Sequence, residues 1–254
     1  MKKVVIVVLA IIVITVAGYF VYFFTNQKEV TDDEMAQIQI YLDEIYGWKI
    51  TYDEALPEFK NINEANEEWI WDRVQQKLQK YDNPDETYAF TYTQIEKATK
   101  YLFGDKLKKE FPIDGTEFLR YDEEIKKFLA SGFGLGEEDD CFIILTATKN
   151  GKKYTIEIIE YIEDHVNVHE AFENEEAKGY EFYIKNLNGE IVKTYWAEFY
   201  NEYIDNEEYI TIEDREEEIK QYVLENKDRF STKIIKLELN KNTNLLHIIS
   251  SKKI

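Results

Sequence analysis

The chain opens with an apolar run that is long enough to cross a membrane. Val4 to Phe24 contains 21 uncharged residues, and a helix of that length rises about 31 Å, close to the thickness of a bilayer core. A cleaved signal peptide has a shorter apolar core followed by small residues, whereas Val16-Ala17-Gly18 leads directly into further aromatic and apolar residues. The sequence therefore predicts a signal-anchor transmembrane helix over residues 1–25.

The charges that flank this run predict its orientation. Lys2 and Lys3 precede it, whereas Lys28 lies beside Glu29 in an acid-rich stretch after it. Because positively charged flanks stay on the cytoplasmic side, we expect a cytoplasmic N-terminus in a single-pass cell-membrane protein. The lipid bilayer would hold Val4 to Phe24, and residues 26–254 would form a single extracytoplasmic acidic domain.

The chain as a whole is strongly acidic. It has 31 Lys plus Arg against 51 Asp plus Glu, a formal net charge of −20. Such a field repels nucleic acid and disfavours an anionic lipid surface as a partner of the domain, because both bind clustered cations. Hydrophobic residues make up 44% of the chain, which is enough for a folded core. We therefore expect a folded domain that does not bind nucleic acid.

Cysteine usage points to a bacterial envelope. Cys141 is the sole cysteine, and the chain contains no Asn-x-Ser/Thr sequon. Domains exported by eukaryotes usually carry disulfides or glycans, whereas bacterial surface domains often have neither. Cys141 begins an apolar run that continues to Leu145, so we interpret it as a small hydrophobic residue rather than a catalytic thiol.

Helix signals fill the first half of the domain. Thr31 and Glu34 have the spacing of a capping box and predict a first helix that ends at Gly47. The tryptophans of the second predicted helix, Trp69 and Trp71, are expected in the core. This second helix is predicted from Glu64 to Lys80. A third is predicted from a capping box at Thr93 to Gly104, and a fourth from Asp122 to Ala130.

Hairpin signals fill the second half. Asn150-Gly151 suits a type I′ turn between the β-prone runs Phe142 to Thr148 and Tyr154 to Ile162. Two more hairpins and a late helix follow: Tyr180 to Lys185 with Ile191 to Phe199, Lys233 to Leu239 with Leu245 to Ser250, and a helix from Thr211 to Asn226. Helices followed by hairpins predict an α+β fold with an antiparallel sheet.

The sequence offers no catalytic motif. Gly132 to Gly136 lacks the Lys and Ser/Thr of a phosphate-binding loop and precedes four acids. No serine lies in a Gly-x-Ser-x-Gly elbow. Pairs of carboxylates are too numerous among 51 acids to identify a glycosidase-type pair. The sequence therefore predicts no catalytic residue and no cofactor, and leaves the question of enzymatic activity open, leaning towards none.

One pair of histidines is a candidate metal site. His165 and His169 would lie about 13 Å apart in the extended segment that their neighbours favour, too far for one ion. Val166 also stands where a zinc-protease motif requires Glu. We therefore predict no metal site, with His165 and His169 as the weak candidates.

Aromatic residues are concentrated near the end of one predicted strand. Such side chains anchor peptide and glycan ligands, although aromatic residues also fill and border the core of a domain. The candidate binding residues are Tyr195, Trp196, Phe199, Tyr200 and Tyr203.

The lysine-tipped anchor, the Lys/Glu/Ile/Asn/Tyr-rich composition and the helix ending Tyr101-Leu102-Phe103-Gly104 ahead of hairpins resemble uncharacterised membrane-anchored exported proteins of low-GC Gram-positive bacteria. The resemblance implies a compartment and carries no activity. We expect a non-catalytic module of the bacterial cell envelope that binds an envelope protein, peptide or glycan. The alternatives are an envelope hydrolase using paired carboxylates and an immunity- or inhibitor-type protein for a basic partner.

Overall fold

The computed structural model describes residues 28–46, 56–81, 88–130, 138–165, 179–198 and 212–254. These residues form an α+β fold with antiparallel sheets, as predicted. Its helices are α1 (Asp32–Tyr46), α2 (Glu67–Tyr81), α3 (Tyr92–Phe103) and α4 (Ile212–Glu225). Its strands are β1 (Lys28–Glu29), β2 (Ala89–Phe90), β3 (Leu119–Asp122), β4 (Lys127–Ala130), β5 (Glu138–Asn150), β6 (Lys153–Asp164), β7 (Gly179–Lys185), β8 (Ile191–Glu198), β9 (Ser231–Asn240) and β10 (Leu245–Lys253).

The predicted transmembrane segment lies outside the described residues. Within the described ranges, no helix combines the length and the apolar character that a membrane span requires. The signal-anchor over residues 1–25 therefore stays a prediction from the sequence. The Gly132 to Gly136 segment also lies outside the described residues.

Helix α1 begins as its capping box predicts. The amide of Thr31 donates to Oε2 of Glu34 at 3.0 Å, and the amide of Glu34 donates to Oγ1 of Thr31 at 3.3 Å. These two bonds satisfy amides that have no partner inside the helix. Ile38, Leu42 and Ile45 then form its buried face.

Helix α3 starts two residues earlier than predicted. Its capping box pairs Thr91 with Gln94 rather than Thr93 with Glu96. Thr91 is the cap because β2, which pairs with β4 at Ala89–Phe90, keeps the chain extended up to that point. The helix ends, as predicted, at Gly104, whose φ of 67° suits glycine.

The helix predicted from Asp122 to Ala130 is wrong, because this segment is the β3–β4 hairpin. Oδ1 of Asp122 accepts bonds from the amides of Glu124 and Ile125, at 2.9 and 3.1 Å, which closes a tight turn. Strand β4 then pairs with β2 as well as with β3. A pairing partner more than thirty residues away thus overrides the local helical pattern.

All three predicted hairpins are confirmed, and strand β6 organises the large sheet that they build. Along one side β6 pairs with β5, and along the other it pairs first with β9 and then with β7. The change of partner falls between Glu160, which pairs with Ser231, and Ile162, which pairs with Lys185. The sheet therefore branches at this point, with β9–β10 on one arm and β7–β8 on the other.

Two hydrophobic clusters lie on opposite faces of β6, because successive strand residues point to opposite sides. Helices α1 to α3 pack against the face that contains Ile156 and Ile158. Helix α4 packs through Ile219 against the other face, which contains Ile159. The tryptophans of α2 are buried in the first cluster, as predicted.

Candidate functional site

The structure places the two described members of the aromatic candidate set on opposite faces of β8. Tyr195 stacks on the fully buried ring of Phe182, with centroids 5.4 Å apart, and burial raises its pKa. Trp196 pairs with Glu181 on the other face and is 56% exposed. Strand alternation therefore separates a partly buried residue, which packs against the second hydrophobic cluster, from an exposed one. The other three candidates, Phe199, Tyr200 and Tyr203, lie outside the described residues.

The candidate metal residue His165 lies beside an aromatic ring. Its imidazole stacks on Phe182 with centroids 5.4 Å apart, and its Nε2 lies 3.7 Å from a carboxylate oxygen of Glu163. His169 lies outside the described residues. Within the described ranges, no three side chains of His, Cys, Asp or Glu form a group that could hold a metal ion.

The thiol of Cys141 is unsuited to nucleophilic chemistry. It packs against the second hydrophobic cluster, and its Sγ lies 3.7 Å from the main-chain oxygen of Asp139. Burial raises its pKa well above the usual range, and the nearby charge of Glu163 acts in the same direction. Because the thiolate is the reactive form, this environment favours the apolar role that the sequence suggested.

A buried group of polar side chains lies where the sheet branches. Oε1 of Glu160 accepts a hydrogen bond from the Tyr46 hydroxyl at 2.6 Å and one from Nζ of Lys233 at 2.9 Å. Lys233 also donates to the main-chain oxygen of Leu56. Burial, followed by the charge of Glu160, raises the pKa of Tyr46 well above its usual range. We call Tyr46, Glu160 and Lys233 the branch-point cluster.

The branch-point cluster is structural in character. It joins α1, the segment at Leu56, β6 and β9, and the side chains of Glu160 and Lys233 are only 4% and 5% exposed. Four residues further along the same face of β6, Asp164 forms an ion pair with Lys185 of β7. Each arm of the sheet is thus attached to β6 through a lysine and a carboxylate. The sequence patterns did not predict these two ion pairs. The feature that could have indicated them is the presence of acids and lysines inside otherwise apolar strands.

A polar cavity of about 240 Å³ lies between the end of α3 and the β9–β10 hairpin. Its lining combines both charges, an amide and an imidazole, from residues that include Asp105, Lys106, Lys152, Glu238, Asn242 and His247. The ammonium group of Lys106 forms an ion pair with Glu238. Asp105 makes no ion pair with any described residue. Phe103, Leu239 and Ile248 add an apolar part to the wall.

His247 forms the inner wall of this cavity and is held by the end of α3. Burial lowers its pKa, while the charge of Asp105 and the main-chain oxygens of Lys100 and Tyr101 act in the opposite direction. A Cβ on Gly104 would stand 2.8 Å from Nδ1 of His247, so only glycine leaves room for the ring. The imidazole is therefore fixed in place by packing, and its burial disfavours the protonated form.

The lining of the cavity suits the binding of a ligand better than catalysis. Donors and acceptors of both signs next to an apolar wall suit a small polar ligand, whereas one of its two carboxylates, Glu238, is already bound to Lys106. Sequence reasoning missed the site because Gly104, Lys152 and His247 belong to three separate elements that meet only in the folded chain. The chain matches no known protein-family model, no curated protein and no solved structure.

Proposed function

We propose that this chain is a membrane-anchored extracytoplasmic module of the bacterial cell envelope that binds a ligand and does not turn it over. The observation that carries the proposal is the polar cavity between α3 and the β9–β10 hairpin, with its lining of ammonium, carboxylate, amide and apolar groups. A lining of both signs favours an uncharged or zwitterionic ligand, such as a short peptide or a glycan unit.

The buried carboxylates support binding over catalysis. Glu160 and Asp164 are each ion-paired with a lysine inside the fold, and neither lines the polar cavity. The hydrolase alternative needs two carboxylates free to act on one bond. The cavity has Asp105 and Glu238, and Glu238 forms an ion pair with the exposed Lys106. We therefore favour binding over the hydrolase alternative.

The location half of the proposal is tested by labelling in whole cells. A membrane-impermeant thiol reagent is applied to an Asn26→Cys variant that also carries Cys141→Ala. Labelling in intact cells is expected. Labelling only after lysis would reverse the orientation and refute an extracytoplasmic domain.

The binding half is tested by ligand-observed NMR on the full chain in detergent micelles, with N-acetylglucosamine and an alanyl-alanine dipeptide as probes. We expect saturation transfer to one of them, lost in Asp105→Asn, because Asp105 lines the cavity and is exposed. The matched control is Asp228→Asn, another exposed acid outside the cavity. Equal signals from both variants, or release of a cleaved product, would refute a non-catalytic site at this cavity.

A further inference from the structure

The end of the large sheet next to β1 differs in charge from the rest of the chain. Two turns form it, Lys149–Lys153 between β5 and β6 and Asn240–Asn244 between β9 and β10. These ten residues contain four lysines and no acid, in a chain whose 254 residues include 51 acids. We call these two segments the lysine end.

The two turns lie side by side in the fold. The amide of Leu239 donates to the main-chain oxygen of Lys152 at 2.8 Å, and Lys153 pairs with Glu238 across the β6–β9 ladder. The side chains of Lys152, Lys153 and Lys241 are exposed and make no ion pair with any described residue. Their charges therefore add up on one exposed surface.

Two acids next to the lysine end form ion pairs, whereas Glu29 and Asp105 are exposed and make no ion pair with any described residue. Oε2 of Glu34 lies 2.5 Å from Nζ of Lys149, and Glu238 is paired with Lys106. Asp32 and Asp33 lie in the first turn of α1, where the positive end of the helix dipole offsets their charge. The three exposed lysines without an ion pair, Lys152, Lys153 and Lys241, thus outnumber Glu29 and Asp105, the unpaired acids beside them.

Chain connectivity brings this end close to the predicted anchor. Strand β1 pairs with β5 through Lys28 and Lys149. Only four backbone steps separate Lys28 from Phe24, the last residue of the apolar run, and four steps span at most about 14 Å. If the apolar run crosses the bilayer, the lysine end is the part of the sheet closest to its surface.

We propose that the lysine end rests on anionic lipid headgroups and so holds the large sheet upright on the membrane. The inference builds on the proposed membrane anchor and adds a lipid-binding surface with a defined orientation. The net charge of the whole chain disfavours anionic lipids as a partner. Salt screens the interaction beyond about a Debye length, however, so the headgroups respond to the local charge of the lysine end. Each exposed lysine near an anionic surface is expected to contribute roughly fivefold to the surface-bound population.

The test uses the full chain in vesicles of phosphatidylcholine, with or without 30% phosphatidylglycerol, at low salt. A fluorophore is placed on Thr243→Cys at the lysine end or on Thr194→Cys, with Cys141→Ala in both, and energy transfer to headgroup acceptors is measured. Thr194 is remote from the lysine end, because it pairs with Tyr183, and Tyr183 pairs with Asp164 at the far end of β6. Asp164 lies about 36 Å along the strand from Lys153. Stronger transfer is expected from position 243, rising with phosphatidylglycerol and falling in high salt.

The matched variants each remove two positive charges. Lys152→Gln with Lys241→Gln is expected to weaken the lipid dependence by roughly 25-fold, leaving the contribution of Lys153. Lys220→Gln with Lys227→Gln, two exposed lysines away from the lysine end, is expected to leave it unchanged. Transfer that is independent of phosphatidylglycerol, or equally reduced by both pairs, would overturn the lysine-end inference. A chain that fails to float with the vesicles would instead refute the anchor, so the two failures are distinguishable.

Discussion

Removing the ammonium group from the branch-point cluster should destabilise the fold strongly. The Lys233→Met variant keeps most of the side-chain volume but leaves the carboxylate of Glu160, whose side chain is 4% exposed, without its counter-ion. Breaking a buried pair on one side costs about 3 to 5 kcal/mol. The main-chain oxygen of Leu56 also loses its donor. We therefore expect the free energy of unfolding to fall by about 4 kcal/mol.

The same reasoning predicts that a second substitution restores stability. In Glu160→Gln with Lys233→Met the buried charge is gone, and the amide oxygen still accepts the bond from the Tyr46 hydroxyl. The double variant should recover at least half of the loss, because neutral replacement of a buried pair is often close to neutral. Lys236→Met, an exposed lysine of the same strand, is the control and should cost under about 0.5 kcal/mol.

Urea titration of the full chain in mild detergent measures these differences, with tryptophan fluorescence as the signal because Trp69 and Trp71 are buried. A loss below about 1 kcal/mol in Lys233→Met would refute the assignment of a costly unpaired charge. So would a double variant whose loss equals the sum of the two single losses, because it would show that the two groups do not interact.

Three further perturbations test other parts of the fold. Gly104→Ala should cost about 2 kcal/mol in a urea titration, because its Cβ would collide with His247 and its φ is 67°. Glu34→Gln should cost about 1 kcal/mol at pH 7, because its ion pair with Lys149 is partly exposed. The hydrogen bond from Lys149, followed by that from the Thr31 amide, lowers the pKa of Glu34 to about 2, so this contribution is present above pH 4.5 and is lost as pH falls towards 2. Phe182→Ala should cost about 3 to 5 kcal/mol in thermal unfolding, because the ring is fully buried.

Each of these has a matched control. Gly151→Ala also places a side chain at positive φ but meets no atom within 4 Å, so a cost equal to that of Gly104→Ala would contradict the collision argument. Glu29→Gln removes an exposed acid, and a pH profile identical to that of Glu34→Gln would rule out a specific role for Glu34. Trp196→Ala removes an exposed ring, and a loss as large as for Phe182→Ala would contradict the placement of the core.

Local signals predicted most of the secondary structure. The Thr31 capping box and Gly104 mark helix ends correctly because caps and left-handed residues act within one turn of the chain. The β5–β6 hairpin forms as predicted, but its turn residues are Gly151 and Lys152, because Asn150 pairs with Lys153. Of these only Gly151 has a positive φ, so the predicted type I′ turn at Asn150-Gly151 is wrong by one residue. The segment from Asp122 to Ala130 failed because its pairing with β2 depends on residues far away in sequence.

The candidate sites show where local reasoning ends. The sequence identified Tyr195 and Trp196 as neighbours, and only the strand geometry separates them into a partly buried and an exposed residue. The polar cavity and the branch-point cluster were both missed. Each is built from residues more than a hundred positions apart, such as Glu160 and Tyr46, which no local pattern connects.

Sequence patterns alone were enough to predict the α+β class, the three hairpins and the acidic charge of the chain, because capping, turn chemistry and composition are local or additive properties. A single uninterrupted apolar run likewise predicts the membrane anchor. Three other features arise only in the folded chain: β6 changes partner at Glu160, Gly104 meets His247, and lysines of two distant turns share one end of the sheet. These are properties of strand pairing and chain packing, which arise when residues remote in sequence come into contact.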